Sequence, residues 1–524
     1  MRVVVTGQGL LPEALARALR REHAVVVASG DLRDEDVARD TVAGADALIH
    51  LAPVAPGPAG DGAASERLDQ ATRGTFVLLQ AAVAAGVRRV VLGSTLAMFD
   101  RYPASWSVSE TWQPLPDVTD PAQLAAYLAE QSAKQFAHFE PIEVVCLRLA
   151  TVVDDQEGDG RRDPRWLHVD DAVQACLKAL TRPLRLRNDT ATGKLVQGWC
   201  VYHIPGGGKH TRVPLARAGG EHGLGYTPEH DLAPAEPPVA SPAEQAGDMA
   251  LLGPRRRIPS RPIRRVVLFG AGGPLAAVTA AQLAPAYRLR LTDLRPLATI
   301  AAEGKPQSKG APLPAVLPPP HEEMQVDVTD ADQVLQACAG MDAVINCTVI
   351  RPHLEQAFLV NCLGAYHVMR AAVAHGIRRV VHTGPLQVSS EWPSGYGWDF
   401  DVPDDAPARA GVWIYGHSKF LGQEIVRLFA EQYDLEVPAL YYSAFVDPAT
   451  AQPHAGGVHP MSISWEDAGL AMRRALEAPT LPAPFEIFHI LANLPHGKYS
   501  SAKAQRLLGW QPRDNLAHLW ARRP

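Results

Sequence analysis

In the second half of the chain, short apolar runs alternate with longer stretches rich in alanine and other helix-forming residues. Apolar runs without polar alternation are typical of strands that are buried on both faces of a parallel sheet. Such alternation of strands and helices predicts an α/β fold with a doubly wound parallel sheet. The predicted strands are Val266–Phe269, Arg288–Thr292, Met324–Val326, Ala343–Cys347 and Arg379–His382, and the predicted helices are 275–284, 331–339, 355–375 and 416–432.

The first half of the chain repeats the second half in the same order. Val87–Val91 matches Ile377–Val381, an offset of 290 residues. A repeat of about 230–260 residues is the size of a domain and is too long for a solenoid. We therefore predict a tandem duplication, with domains at 1–233 and 263–524 and a Pro- and Ala-rich linker at 234–262. The further matches pair Gly44–His50 with Gly340–Asn346, His168–Ala172 with Ser464–Ala468, and Leu224–Pro228 with Leu508–Pro512.

The composition is that of a soluble globular protein. The 524 residues are too many for one ordinary core, and 47% are hydrophobic and 20% charged. The net charge of −6 gives no reason to expect nucleic acid or an anionic membrane surface as a partner. No apolar run approaches the length needed to span a membrane, and Met1–Gly7 resembles a strand and turn more than a signal peptide. The six widely spaced cysteines favour reduced thiols in a cytoplasmic protein over disulfides or a zinc site.

A glycine-rich turn follows the first strand of the second half. Residues 270–276 have the pattern G-x-x-G-x-x-A, which allows a tight turn and close approach of a pyrophosphate to a helix N-terminus. Such a turn is weak evidence alone, because many strand–helix turns carry glycine for packing. The next strand, however, ends at Asp293, whose carboxylate can bind the adenosine ribose hydroxyls and would repel a 2′-phosphate. Although Asp293 could instead cap a helix, the two features together predict a site for NAD more than for NADP.

The corresponding part of the first half is altered. Its glycine turn at 6–12 is one residue short. The offset between the halves is 263 residues at this turn but 296 where Asp31–Asp34 aligns with Asp327–Asp330, so the second half has 33 more residues in between. The missing segment lies between the second and third strands, where adenosine is held, and Ser29 occupies the position of Asp293. We therefore expect the first half to bind NAD poorly or not at all.

The pentapeptide Tyr415-Gly416-His417-Ser418-Lys419 places a tyrosine and a lysine on one face of a helix. A lysine ammonium beside a phenol favours the phenolate and lowers a pKa that starts near 10. The pair therefore predicts a general acid/base that works near neutral pH. The alignment matches this stretch with Glu130–Lys134 of the first half. There we expect Lys134 to be an ordinary surface residue and Glu130 to be a solvated helix residue facing it.

Together these residues resemble the extended short-chain dehydrogenase/reductase family, in its NAD-dependent epimerase/dehydratase group, over nearly all of both halves. The resemblance implies two tandem Rossmann-like doubly wound domains, each with a small C-terminal substrate-side subdomain. It also implies NAD binding by Gly270, Gly273, Ala276, Asp293, Asp327, Val328, Asn346 and Lys419. The residues that carry the resemblance are 270–276, Asp293, Asp327-Val328, Asn361 before Leu363-Gly364, Tyr415 with Lys419, Trp465–Ala468, Ser501–Pro512 and, in the first half, Ser109–Leu115.

The family mechanism implies that Tyr415 exchanges a proton with a substrate hydroxyl while Lys419 lowers its pKa and binds the nicotinamide ribose. Within the family, sugar and uronate dehydrogenases and nucleotide-sugar epimerases are the most similar, which implies a sugar-like substrate. The sequence departs from the family pattern at Pro385, which stands where a Ser or Thr hydroxyl is expected and has no donor. Thr383 and Ser389 are the candidate replacements, and we take Thr383 as the third catalytic residue.

Two functions remain open. One is an NAD-dependent oxidoreductase or epimerase working in the second half, with a structural first half. The other is a non-catalytic NAD-binding or scaffold protein, because neither half has a complete triad: the first keeps Thr95 but has Glu130 for the tyrosine. A site that combines Thr95 and Tyr415 is less favoured, since each position lies deep in its own cleft. A 4,6-dehydratase is disfavoured, because Pro385-Leu386-Gln387 has no acidic pair.

The expected partners are a small sugar-like molecule and the other half of the same chain. Family members often dimerise through two long helices beside the active site, so a tandem chain could form this interface internally as a pseudo-dimer and stay monomeric. Trp392, Tyr396 and Trp398 lie in a Gly/Pro-rich loop that either covers a sugar ring or packs without a ligand. No metal site is predicted, because His353, His382 and His417 have no partners at ligand spacing.

Overall fold

The chain forms two compact units, Met1–Gly253 and Pro254–Pro524. The boundary between the units lies inside the predicted linker at 234–262. Residues of this linker pack within the units. Trp106 Nε1 donates a hydrogen bond of 2.8 Å to Glu244 O in the first unit, and Ile258 is buried in the second. The computed structural model describes residues 1–28, 30–56, 62–155, 162–183, 187–188, 195–196, 198–220, 223–232, 236–254, 256–304, 310–389, 402–451, 461–494, 499–514 and 516–517.

The first unit is built on a six-stranded parallel sheet with the order β10-β5-β4-β3-β1-β2. Its strands are β1 (Arg2–Thr6), β2 (Ala24–Val27), β3 (Ala47–His50), β4 (Arg89–Thr95), β5 (Glu143–Leu149), β6 (Thr151–Val153), β7 (Trp166–His168), β8 (Arg187–Asn188), β9 (Leu195–Val196) and β10 (Trp199–Ile204). Its α-helices are α1 (Leu10–Leu19), α2 (Glu35–Val42), α3 (Ala63–Asp69), α4 (Thr75–Ala84), α5 (Pro121–Phe139), α6 (Val169–Thr181), α7 (Ala216–Gly219) and α8 (Pro242–Gln245).

The second unit contains a seven-stranded parallel sheet with the order β13-β12-β11-β14-β15-β16-β19. Its strands are β11 (Arg265–Phe269), β12 (Arg288–Asp293), β13 (Glu322–Gln325), β14 (Ala343–Asn346), β15 (Arg379–Pro385), β16 (Val437–Tyr442), β17 (Ala444–Val446), β18 (Ser462–Ser464) and β19 (Phe485–His489). Its α-helices are α9 (Pro274–Leu283), α10 (Leu297–Glu303), α11 (Ala331–Cys338), α12 (Leu354–Phe358), α13 (Gly364–Ala374), α14 (Ile414–Tyr433), α15 (Trp465–Glu477) and α16 (Ala502–Leu508).

The prediction of doubly wound parallel sheets is confirmed in both units. In the second sheet the chain runs outward from β11 to β13, returns to β14 and continues in the other direction, so the order reverses between β11 and β14. In open α/β sheets, ligands bind at the carboxyl ends of the strands beside this reversal. The central strands are buried on both faces, as shown by Val266–Phe269, which is fully buried. This explains why the strands appear in the sequence as unbroken apolar runs.

The two sheets differ at one edge. The second sheet continues past β12 to β13, whereas the first ends at β2. In the described residues, the first unit passes from β2 to α2 with no strand between them. The segment that the sequence comparison found missing is therefore the segment that contributes β13, together with its connections. Among the described residues, the first unit thus has no strand paired with the outer edge of β2.

Two sequence-based expectations change in detail. The predicted helix 355–375 is interrupted by a π-helical turn at Leu359–Leu363, which separates α12 from α13. The predicted strand Met324–Val326 begins two residues earlier, at Glu322, where alternate side chains are exposed on an edge strand.

The segment Leu354–Ala374 is long and apolar enough to span a membrane, contrary to the prediction that no run approaches that length. Since 72% of its most apolar 18 residues are buried within the unit, it belongs to the core.

Candidate active site

A cleft of about 440 Å³ opens at the carboxyl ends of the central strands of the second unit. It brings together five of the residues predicted to bind the cofactor or to act in catalysis: Gly273, Ala276, Thr383, Tyr415 and Lys419. Cys347, Arg351, Pro385, Gln387, Tyr442 and Trp465 also line it. Trp392, Tyr396 and Trp398, the aromatic residues of the predicted covering loop, lie outside the described residues.

The glycine turn is shaped by close contact with the neighbouring loop. Gly270 has a φ of 79°, and a Cβ atom there would lie 3.0 Å from the backbone of Cys347 and of Thr348. A Cβ atom on Gly272 would lie 2.9 Å from Asp293 Oδ2. Only glycine therefore allows this turn to pass so close to its neighbours. The helix that follows, α9, begins at Pro274, which has no N–H, and it has no side-chain cap, so the backbone N–H groups of Leu275 and Ala276 are the ones available to an anion.

Asp293 lies at the end of β12 and its Oδ2 accepts a hydrogen bond of 2.8 Å from Gly272 N. The alternative role as a helix cap does not apply, because the N-cap residue of α10 is Pro296. Asp293 thus supports the glycine turn and remains partly exposed beside it. These residues fit a dinucleotide: a glycine turn that a Cβ atom would obstruct, an uncapped helix N-terminus and a carboxylate at the end of the second strand.

The other predicted cofactor residues lie at neighbouring strand ends, away from the lining of the cleft. Val328 is buried against Gly364, and Asp327 Oδ1 accepts hydrogen bonds from the backbone and hydroxyl of Thr329, both at 2.8 Å. Asn346 is 2% exposed, and its side chain accepts hydrogen bonds from Thr348. Asn346 and Asp327 therefore hold the turns that follow β14 and β13.

Tyr415 and Lys419 both face the cleft from the first turns of α14, as their spacing predicts. Lys419 is 5% exposed, and its Nζ donates to Thr348 O at 2.9 Å and to Thr383 O at 3.4 Å. Burial of the ammonium lowers the pKa of Lys419 to about 8. The lysine is thus held firmly by two backbone carbonyls on the floor of the cleft.

The structure does not show the lowering of the Tyr415 pKa by Lys419 that the sequence predicted. Burial of the phenol raises the pKa of Tyr415 above its usual value, and the cation that opposes this rise is Arg351. The Arg351 guanidinium lies over the tyrosine ring, 5.2 Å from its centroid. Sequence reasoning missed Arg351. The available signal was its position in the loop after β14, a strand whose carboxyl end faces the cleft.

Pro385 lines the cleft at the end of β15, at the position where a hydroxyl was expected. Thr383, the predicted replacement, lines the cleft too, but its hydroxyl donates to Asn346 O at 2.9 Å. The Ser389 hydroxyl donates to Leu386 O at 3.1 Å and lies outside this cleft lining. Both hydroxyl groups therefore already have a backbone acceptor.

Equivalent contacts in the two units determine which residue of the first corresponds to which residue of the second. Arg89 forms an ion pair with Glu143 in the first unit, and Arg379 forms one with Glu436 in the second. Each arginine also donates to a carbonyl oxygen near the end of the following helix, α6 or α15. Glu143 and Glu436 are 293 residues apart. The same offset relates the contact of Glu130 with Arg148 to that of Gln423 with Tyr441.

This alignment corrects the sequence-based match for the catalytic pair. With an offset of 293, Tyr415 and Lys419 correspond to Ala122 and Ala126, not to Glu130 and Lys134. Ala122 lines a cleft of about 350 Å³ in the first unit, whereas Glu130 does not. The first unit therefore lacks both the tyrosine and the lysine. Sequence matching failed here because a lysine four residues after a polar residue gave a false local similarity.

Glu130 is not a solvated residue, contrary to the prediction. It is 2% exposed and forms an ion pair of 2.8 Å with Arg148 Nη2. Its Oε1 also accepts hydrogen bonds from Ser94 Oγ at 2.5 Å and Arg148 Nε at 2.9 Å. Lys134 is exposed, as predicted. Glu130 and Arg148 thus form a buried polar network within the core of the first unit.

The predicted counterpart of Asp293, Ser29, lies outside the described residues. The glycine turn of the first unit is nevertheless recognisable, because Gly7 has a φ of 100° and a Cβ atom there would lie 3.1 Å from the backbone of Leu51 and of Ala52. Beside it lies a cleft of about 590 Å³, which Gly7, Gly30 and His50 help to line. Arg33 lines this cleft and is bound to Asp31, Glu66 and Asp69. The first unit therefore retains the glycine turn, although its described residues include no counterpart of β13.

Three potential metal ligands, His168, Asp170 and His230, also come together in the first unit. The two imidazole rings are stacked, with centroids 3.6 Å apart. A metal ion between the rings would lie roughly 1.8 Å outside each ring plane, whereas a zinc–nitrogen bond of about 2.0–2.1 Å needs the ion close to the plane. The cluster has a structural role, because His168 Nδ1 accepts from Asp170 N and caps α6.

Comparison with known proteins finds one protein family in both halves of the chain. The model of the NAD dependent epimerase/dehydratase family matches residues 4–160 and 286–464. A uronate dehydrogenase from Pseudomonas syringae pv. tomato is 29% identical over 224 residues, covering 42% of this chain and 71% of the relative. An L-arabinose 1-dehydrogenase (NAD(P)(+)) from Haloferax volcanii is 28% identical over 273 residues, covering 48% of this chain and 98% of the relative.

A solved structure of uronate dehydrogenase from Agrobacterium tumefaciens is 26% identical to this chain, with a TM-score of 0.39. That match covers 49% of this chain and 86% of the other. A point mutant of the uronate dehydrogenase from the same organism, complexed with NAD, is 25% identical with a TM-score of 0.40, and the match covers 49% of this chain and 87% of the other. Each match thus covers about half of the chain.

Proposed function

The chain belongs to the NAD-dependent epimerase/dehydratase family, and on this premise we propose that its second unit is an NAD-dependent oxidoreductase of sugar-like alcohols. The prediction of NAD as the cofactor is confirmed by the family. The proposal depends most on one observation: Tyr415 and Lys419 share a cleft with the start of α9 and its uncapped N-terminus. NAD, when bound, supplies the hydride acceptor.

The residues of the second unit would bind, orient and deprotonate an alcohol. Gly270, Gly273 and Ala276 leave room for the pyrophosphate beside the N–H groups of α9, and Asp293 provides the carboxylate for the ribose hydroxyls. Tyr415 would take the proton from the substrate hydroxyl as general base. Lys419 donates hydrogen bonds to the carbonyl oxygens of Thr348 and Thr383, so its ammonium would keep a fixed position in the cleft.

The first unit would then be a structural partner of the second. It has Ala122 and Ala126 in place of the catalytic pair, and its described residues include no counterpart of the outer strand β13. Alanine methyl groups cannot transfer a proton or bind a ribose hydroxyl. We keep the intramolecular pseudo-dimer as part of this proposal, and light scattering of the purified chain tests it. A monomer is expected, and a stable dimer would contradict it.

We also propose that the protein is cytoplasmic. All six cysteines are free thiols, as the wide spacing in the sequence suggests for a reducing compartment. Cell fractionation with an antibody against the chain provides the measurement. Recovery in the membrane or secreted fraction would contradict the location without affecting the proposed chemistry.

The proposal is tested by cofactor binding and turnover. We expect NAD to bind the intact chain more tightly than NADP, and Asp293→Ala to weaken NAD binding. Tyr415→Phe should abolish turnover of a uronate or aldose while NAD still binds. Tyr433→Phe, on the last turn of the same helix, is the matched control and should leave turnover unchanged. Full turnover by Tyr415→Phe would refute the catalytic role.

A second candidate is a non-catalytic NAD-binding protein. It is favoured by Pro385 and by the hydroxyl groups of Thr383 and Ser389, which already have backbone acceptors. The same assay separates the two candidates. NADH formed in step with an oxidised sugar identifies a dehydrogenase, and inverted substrate without net NADH identifies an epimerase. NAD binding without change in any uronate, aldose or nucleotide sugar supports the non-catalytic candidate.

A further inference from the structure

The two hydroxyl groups that were predicted to replace the one missing at Pro385 are both engaged elsewhere. Thr383 and Ser389 donate to the carbonyl oxygens of Asn346 and Leu386. A tyrosine that acts as a base carries a negative charge on its oxygen. In a site that excludes water, such a charge needs a positioned donor or cation.

Arg351 is placed to provide that donor. It lines the same cleft as Tyr415 and Pro385, and its guanidinium lies 5.2 Å from the centre of the Tyr415 ring. Burial raises the pKa of Tyr415, and the nearby positive charge of Arg351 opposes that rise. An arginine stays charged over the whole range in which a tyrosine works.

We propose that Arg351 is the positioning and charge-stabilising residue that replaces the missing Ser/Thr hydroxyl, so that Tyr415 can act as the base. This inference rests on the proposed function of the same site. During oxidation, the Tyr415 oxygen gains the proton of the substrate hydroxyl and its negative charge is neutralised. Arg351 stabilises the charged form before that transfer and donates no proton of its own.

The other titratable groups of the cleft cannot take this role. Lys419 donates to two backbone carbonyls. Cys347 stays a neutral thiol, because burial raises its pKa to about 12. Tyr442 donates its hydroxyl to Ala468 O, and burial holds its pKa well above the usual value. Arg351 is therefore the group that adds a positive charge beside the phenol of Tyr415.

The first experiment measures the ionisation of Tyr415 without substrate or turnover. The alkaline absorbance change of each protein is compared with that of the same protein carrying Tyr415→Phe, so that the difference isolates one phenol. Arg351→Gln should shift this titration to higher pH, and Arg351→Lys should shift it less. Arg370→Gln is the matched control, because Arg370 lies over Tyr366 at 5.5 Å outside the cleft and acts on its phenol in the same way.

The second experiment uses the pH dependence of turnover. Each unit of upward shift in the pKa of Tyr415 should lower turnover about tenfold at a pH below that value, while Arg370→Gln leaves the profile unchanged. Adding Pro385→Ser to Arg351→Gln should restore part of the loss, because it returns the hydroxyl donor. A Tyr415 titration that does not move in Arg351→Gln overturns the inference. Full turnover by Tyr415→Phe would instead refute the proposed function, and the titration would still decide the role of Arg351.

Discussion

The two units share a sheet topology and a glycine turn but differ in what occupies equivalent places beside the central strands. The second unit presents Tyr415 and Lys419 to its cleft, whereas the first has Ala122, which lines its cleft, and Ala126 at the equivalent positions. Two turns further along the same helix, the second unit has a neutral contact between Gln423 and Tyr441, and the first has the charged pair Glu130–Arg148. The first unit thus has alanine where the second has the tyrosine–lysine pair, and it carries an ion pair in its core. Under the proposed function, the duplicated fold is kept for its packing and not for its chemistry.

The largest effect that tests this comparison is expected in the core of the first unit. Arg148→Ala leaves the Glu130 carboxylate buried without its cation, which should cost about 3–5 kcal/mol of the free energy of unfolding. The matched change in the second unit, Tyr441→Phe, removes one neutral hydrogen bond and should cost about 1 kcal/mol. Urea unfolding followed by tryptophan fluorescence measures both. Equal losses would mean that the Glu130–Arg148 pair has no special structural role.

The next effect concerns the buried lysine of the second unit. Its folded-state pKa, about 8, lies below the ordinary value of 10.5. The folded state therefore loses this proton at lower pH than the unfolded state, and its stability should rise between about pH 8 and 10.5. The gain is roughly 3 kcal/mol, and it should be absent in Lys419→Met. Denaturation at a series of pH values measures it, with Ala126→Ser in the first unit as the control. If the difference in the free energy of unfolding between wild type and Lys419→Met did not change with pH, the argument from the burial of Lys419 would be contradicted.

The smallest effect is expected at Lys134, which the sequence alone would pair with Lys419. Because Lys134 is exposed and lies outside the first unit's cleft, Lys134→Ala should change the free energy of unfolding by less than about 0.5 kcal/mol and leave turnover unchanged. Lys419→Ala, by contrast, should abolish turnover. Loss of activity in Lys134→Ala would restore the original alignment of the two helices.

Much of the fold was predictable because it depends on local pattern. Apolar runs that are buried on both faces identified the strands, and the changing offset between the halves located the missing segment that contains β13. The candidate site was predictable where its residues are close in sequence, as at 270–276 and at Tyr415 with Lys419. Arg351 was not, because its contact with Tyr415 joins residues 64 positions apart through the sheet.

The alignment of the two helices shows most clearly where sequence reasoning stopped. The sequence by itself determined the duplication, the parallel sheets, the family and the tyrosine–lysine pair, because each depends on residue type and short spacing. Only the tertiary structure decided that Ala122 and Ala126 occupy the catalytic positions, that Glu130 is buried on Arg148, and that Arg351 faces Tyr415. These facts depend on which side chains meet across strands and helices, and such contacts leave no periodic signal along the chain.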